Sequence, residues 1–214
     1  MYKTVLFDFD GTVFDTVEGI TKSARYALNK FGMDASLEEL RFFAGPPLVE
    51  TFKTHFHVSQ EQAELLGQSF RERYIPIGMY EAKPFDGMVE LIKKLRAQGK
   101  TVAVTTMKPL FMALSILERA GLEGLFDAVY GSPDSGVEDP KEKIISAAMT
   151  GLGAAVDDTI LVGDTKYDIT GAHIAGIKAV GVRYGYAAEH ELEDAGADFI
   201  VDTVAQLEEF LLSR

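Results

Sequence analysis

The residues with obvious chemical capacity fall into a few short runs. Asp8, Asp10 and Asp15 lie within Asp8-Phe9-Asp10-Gly11-Thr12-Val13-Phe14-Asp15, and Asp164 and Asp168 lie within Val162-Gly163-Asp164-Thr165-Lys166-Tyr167-Asp168. Carboxylates brought together repel one another and raise each other's pKa. A hard divalent cation relieves that repulsion. Magnesium prefers oxygen ligands and keeps several waters, so a pair of carboxylates and a phosphate oxygen suffice to hold it. A carboxylate can also attack phosphorus and carry the phosphoryl group as an acyl phosphate. Asp8 and Asp10 are two positions apart, so at a strand end one can meet phosphorus and the other the leaving oxygen. Gly11 lets the backbone approach a phosphate closely. A threonine hydroxyl (Thr105 or Thr106) and a lysine ammonium (Lys108, Lys141 or Lys143) can neutralise the outer oxygens of a transferring phosphoryl group.

Such groups need a scaffold that brings distant segments to one edge. Short apolar runs at 3–7, 101–105, 127–130, 159–162 and 179–183 are rich in valine, as strands covered on both faces are. Between them, 88–97, 111–120 and 143–150 carry helical periodicity, with Gly99, Gly121 and Gly151 where helices should end. This alternation predicts an α/β fold, a doubly wound, Rossmann-like parallel sheet. Ligands of such sheets bind at the carboxyl ends of strands, where all of the runs above fall. Residues 16–80 break the alternation. They read as successive helices over 17–31, 36–43, 47–56 and 59–79, with a capping-box pattern at Ser36 and Glu39 and Pro47 at a first helical position. The expected organisation is a core domain of residues 1–15 and 81–214, interrupted by an all-helical domain at 16–80.

Composition narrows the partners. The 214 residues carry a net charge of −12, so nucleic acid and anionic membranes are poor partners. A small phosphorylated metabolite remains accessible if a local cation receives it. There is no cysteine, which excludes disulfides, thiolate nucleophiles and cysteine-bound zinc. No apolar run approaches the roughly 20 residues that span a bilayer. Asp8 follows the start too soon for a signal peptide, and a cytoplasmic location is the expectation.

At these residues the sequence resembles the haloacid dehalogenase superfamily, specifically its phosphoglycolate phosphatase-like branch. Asp8 to Asp15 matches the first motif, DxDGTxxD; Val102-Ala103-Val104-Thr105-Thr106 matches a hydrophobic strand ending in Thr or Ser. Lys141 matches the third-motif lysine, and Val162-Gly163-Asp164 with Asp168 matches GDxxxD. The helical segment resembles that branch's C1 cap, including Gly45-Pro46-Pro47-Leu48. The resemblance implies a magnesium-dependent phosphatase. It makes Asp8 the nucleophile and a metal ligand, and Asp10 the acid and base whose carbonyl also meets the metal. Thr106 and Lys141 would hold the phosphoryl group, Asp164 would ligate magnesium, and Asp168 would act directly or through another ligand. Thr106 is preferred over Thr105 because Met107-Lys108-Pro109 then falls where relatives carry Ser-Lys-Pro. Met107 departs from the usual Asn or Ser, with Lys108 a possible substitute, and Lys143 competes with Lys141. Arg41, Lys53 and Lys108 are candidates for a second anion of the substrate.

Plainer readings exist. Asp164 and Asp168 could be helix caps, Thr106 a strand-end residue, and Lys141 a solvated helix residue. His55 and His57 fit solvated positions, whereas Phe42, Phe43 and Phe52 fit the core of the helical segment or the lining of a pocket. Among functions, a phosphomutase is the near rival. A receiver-like signalling module shares Asp, Thr, Lys and a metal but keeps its acidic pair after the first strand and lacks a helical insert. An inactive relative acting through partners would not need Asp8 and Asp10 together. Phosphoglycolate, nucleoside monophosphates and sugar phosphates are the candidate substrates.

Overall fold

Valine- and isoleucine-rich segments make the central sheet of the computed structural model, which describes residues 1–133 and 139–214. The strands are β1 (Thr4–Phe7), β2 (Phe14–Asp15), β3 (Lys83–Pro84), β4 (Thr101–Pro109), β5 (Ala128–Ser132), β6 (Thr159–Gly163), β7 (Lys178–Val182) and β8 (Phe199–Val201). Six of them form one sheet in the order β5-β4-β1-β6-β7-β8, while β2 pairs with β3 separately. Every pairing in the large sheet is parallel. The strand order reverses around β1, so the switch point of the sheet lies at its carboxyl end.

Helices α1 (Val17–Lys30), α2 (Leu48–Phe56) and α3 (Gln60–Tyr74) fall between β2 and β3. The others are α4 (Met88–Ala97), α5 (Leu110–Arg119), α6 (Lys141–Leu152), α7 (Lys166–Ile174), α8 (Glu191–Asp194) and α9 (Val204–Leu212). Two compact units result, one of Met1–Phe14 with Pro84–Arg214 and one of Asp15–Lys83. In the first, Leu6, Ala103, Leu161 and Ala179 pack with Ile145 and Ala148 of α6 and Ile169 and Ala172 of α7. Strand alternation sends Val5, Phe7, Val104 and Val162, also fully buried, to the opposite face. In the helical unit, Phe42, Phe43, Phe52 and Phe56 make a ring cluster, and His55, which is exposed as expected, stacks on Phe42 with centroids 3.9 Å apart.

The structure corrects several local expectations. Residues 36–43 are not an α-helix. The Ser36 cap does form, its backbone N–H and hydroxyl donating to Glu39 Oε2 at 2.8 and 2.7 Å. Turns follow, with a 3-10 helix at Arg41–Phe43, because Gly45-Pro46-Pro47 cuts the segment before a costly helix nucleus can be extended. Pro47 is the N-cap of α2, one place earlier than expected. Helix α3 ends at Tyr74 rather than 79, since Pro76 cannot continue it. Helix α6 runs through Gly151 and is capped by Gly153. Strand β8 was unforeseen: it is a three-residue edge strand, too short to show a pattern. The Gly131 to Pro140 loop includes 134–138, which lie outside the described residues.

Candidate active site

Two adjacent strand ends, and the helix that follows one of them, bring the acids together. Strand β1 delivers Asp8, whose backbone N–H donates to Val162 O at 2.8 Å, so that its position is tied to β6. Strand β6 delivers Asp164 just past Gly163, and α7 starts with Asp168 in its first turn. Oxygens of Asp8, Asp164 and Asp168 lie within 4.8 Å of one another. Lys141, at the start of α6, enters the same cluster. Its Nζ is 2.6 Å from Asp8 Oδ1 and 2.6 Å from Asp168 Oδ1, and its side chain is only 3% exposed. Lys143 lies outside the cluster at the surface, paired with Asp139 at 2.7 Å.

The charges do not balance. Two buried carboxylates and a partly buried one, Asp8, surround one ammonium. Burial, reinforced by the neighbouring Asp168, pushes the Asp8 carboxyl up to about 7 despite the opposing pull of Lys141. Burial and the charges of Asp168 and Asp8 hold Asp164 well above the usual carboxylate range. Burial alone would lower the Lys141 ammonium, yet Asp168 and Asp8 carry it above the ordinary lysine value. A divalent cation fits this set. The donors are hard oxygens, they converge, and the excess is negative. Asp8 Oδ1 takes one bond from Lys141 and Asp164 accepts from Thr12 and Tyr186, which leaves lone pairs on both acids for an ion. Asp168 is more committed. Its Oδ2 accepts from the Thr165 N–H and hydroxyl at 3.0 and 2.9 Å, closing a capping box, while Oδ1 meets Lys141. The capping reading therefore holds for this residue, which also touches Lys141.

Asp10 stands beside this cluster with a partner of its own. Lys108 Nζ donates to both of its carboxylate oxygens, at 2.8 and 2.9 Å, from a side chain 6% exposed. Thr106 is buried and accepts from the Lys108 N–H at 3.2 Å. The buried Thr105 hydroxyl finds no hydrogen-bond partner among the described residues. Gly11 is at φ +79°, and a Cβ there would stand 2.1 Å from Asp164 Oδ2, so this turn admits no side chain. Arg41 and Lys53 belong to the helical unit and are exposed there, facing Glu38 at 4.0 Å and Glu50 at 3.6 Å. Sequence reasoning missed Thr12 and the Tyr186 N–H, which donate to Asp164, and Tyr184, whose hydroxyl donates to the Thr12 carbonyl. The last two follow β7, another strand end, and that position was the available signal.

Such an arrangement can place a partly buried carboxylate beside a cation site, a fixed ammonium and a second carboxylate with its own counter-ion. Residues 5–182 match the family described as haloacid dehalogenase-like hydrolase. A 5′-nucleotidase of Pseudomonas aeruginosa is 36% identical over 192 residues, 89% of this chain and 87% of that protein. Pyrophosphatase PpaX of Halalkalibacterium halodurans is 31% identical over 209 residues, 95% of this chain and 94% of that one. The crystal structure of a predicted phosphatase from Clostridium acetobutylicum superposes with a TM-score of 0.93 at 39% identity, covering 100% of both chains.

Proposed function

Because this chain belongs to the haloacid dehalogenase-like hydrolases and is a phosphatase, we propose that it hydrolyses a small phosphomonoester through an aspartyl-phosphate on Asp8. The observation that carries this reading is the cluster of Asp8, Asp164 and Asp168, with Lys141 paired to Asp8 and Asp168. An oxygen of Asp8 attacks phosphorus, and the bond from phosphorus to the substrate oxygen breaks. Asp10 gives its proton to the departing alcohol. It then takes a proton from water, which attacks the phosphorus of the aspartyl-phosphate and frees inorganic phosphate and Asp8. Lys141 and the Thr106 hydroxyl hold the outer phosphoryl oxygens, and the Gly11 turn lets the backbone come close. Lys108 keeps Asp10 in place and offers a positive charge to a second anion of the substrate.

Magnesium would be held by Asp8, Asp164 and the Asp10 carbonyl, with Asp168 nearby as a further oxygen and as the anchor of Lys141. Bound there, the ion would supply positive charge against the phosphoryl oxygens and the crowded carboxylates. The helical unit is assigned to substrate choice, with Arg41 as its candidate anion contact. The nucleotidase likeness puts nucleoside 5′-monophosphates first among substrates, ahead of phosphoglycolate, sugar phosphates and pyrophosphate.

The test is phosphate release from that set with and without magnesium, for wild type, Asp8→Asn and Asp10→Asn. Turnover should require magnesium and fall at least about a hundredfold in both variants. Release from no substrate, or normal turnover by Asp8→Asn, would refute the assignment.

A further inference from the structure

Strands β4 and β5 run in step from Ala103 opposite Ala128 to Thr106 opposite Gly131, and the next pair is Pro109 opposite Ser132. Strand β4 thus carries Met107 and Lys108 as a bulge. Bulges re-aim side chains beside functional sites. This one turns Lys108 towards Asp10, and its Nζ meets both carboxylate oxygens at 2.8 and 2.9 Å. The Lys108 N–H donates to the Thr106 hydroxyl at 3.2 Å, which ties the bulge to the strand before it. The backbone of Asp10 is held separately, by a bridge to Phe14. Its side chain is therefore steered by an ammonium from another strand. The bulge also has a seat. A Cβ on Gly131 would stand 2.8 Å from the Lys108 carbonyl oxygen, 2.9 Å from Leu110 Cα and 3.0 Å from Leu110 N. All three are backbone atoms, so no side-chain rotation could relieve the contact. Gly131 is not at a positive φ. Its missing side chain answers to this close approach, not to a special backbone conformation.

We propose that the β4 bulge, seated on Gly131, positions Lys108 and through it the carboxylate of Asp10. This rests on the reading of Asp10 as acid and base. Proton transfer to a leaving oxygen needs a reach of about 2.6–3.2 Å. A misplacement of about 1 Å can cost roughly a hundredfold in rate. A side chain at position 131 would push the bulge backbone, and Lys108 would carry the shift to Asp10. Gly131 acts only through Lys108 and Asp10, so it is a positioning residue. The signature of that role is selectivity for the leaving group. An alkoxide needs the proton from Asp10, whereas p-nitrophenolate departs without one.

The test compares kcat/KM of the full chain, with magnesium, on p-nitrophenyl phosphate and on the fastest alkyl phosphate among the substrates named above. Gly131→Ala should lower the alkyl value about tenfold and the aryl value at most about twofold. In a Lys108→Met background, adding Gly131→Ala should change the alkyl value by less than about twofold, because the path to Asp10 is already cut. Met107→Gly slackens the bulge and adds no atom. It should give the same alkyl-selective loss, and it decides the matter if Gly131→Ala does not fold. Equal losses on both substrates, no loss on either, or an undiminished effect in the Lys108→Met background would overturn the positioning role while leaving Asp10 the acid. Asp10→Asn with the wild-type ratio of alkyl to aryl values would overturn the positioning role and the acid–base reading together.

Discussion

Asp8 owes its behaviour to competing neighbours. Burial and Asp168 disfavour its charge, Lys141 favours it, and the balance leaves the carboxyl at about 7 in the absence of a cation. The folded value lies above the ordinary 3.8, so over the interval between them the folded chain holds the proton and the unfolded chain has released it. The stability that this provides is full at low pH and is lost as pH rises through the folded value. Asp164 shifts in the same direction and adds to the slope. In a chelator, the urea midpoint of wild type should therefore fall between about pH 5.5 and 7.5, and Asp8→Asn should flatten that fall. A midpoint that rises across this window in wild type would contradict the electrostatics described here. Asp8, Asp10, Asp164 and Asp168 were legible because their types and spacing are unusual. Lys141 and Lys143 could not be separated, because both fit a helix start. What distinguishes them is that α6 aims the first inward at Asp8 and the second outward at Asp139.

The precision of the cluster depends on how two helices meet. Helices α6 and α7 pack so closely that a Cβ on Gly171 would stand 2.8 Å from Lys141 Cβ and 2.9 Å from its Cγ. Gly171→Ala should then cost about 1–3 kcal/mol in urea unfolding, as overpacking does, and lower kcat more than it raises KM. Wild-type kcat in this variant would mean that the helix contact does not set the Lys141 position. Elements with strong patterns were readable in advance: β1, β4, β6 and β7 are apolar runs, and α4 has a clear stripe. The failures have physical causes. At 36–43 a real cap pattern was outweighed by prolines just beyond it, and β8 is defined by pairing with β7 rather than by its own three residues. The segment 184–186 after β7 escaped notice because tyrosine and glycine at a strand end carry no distinctive charge, and its value lies in contacts with residues about 20 and 170 positions away.

At the scale of the whole chain, a net charge of −12 opposes the approach of an anionic substrate. Raising ionic strength at constant free magnesium should therefore increase kcat/KM, since screening weakens the repulsion within a Debye length of about 10 Å at 0.1 M salt. A steep decrease would point instead to a local positive field that outweighs the total. The separation into a sheet unit and a helical unit, Asp15–Lys83, is close to the 16–80 segment read from periodicity. What periodicity could not supply is the substrate, because the two candidate anion contacts of the helical unit, Arg41 and Lys53, are exposed and only loosely paired. The central claim is covalent and can be tested without knowing that substrate's identity. Borohydride added during turnover reduces an acyl phosphate to the alcohol, and peptide mass spectrometry locates the modified residue. The expected result is homoserine at position 8 in wild type, dependent on substrate and magnesium, and more of it in Asp10→Asn. Sustained turnover with no modification at position 8, or modification at another acid, would contradict the assignment of Asp8 as nucleophile.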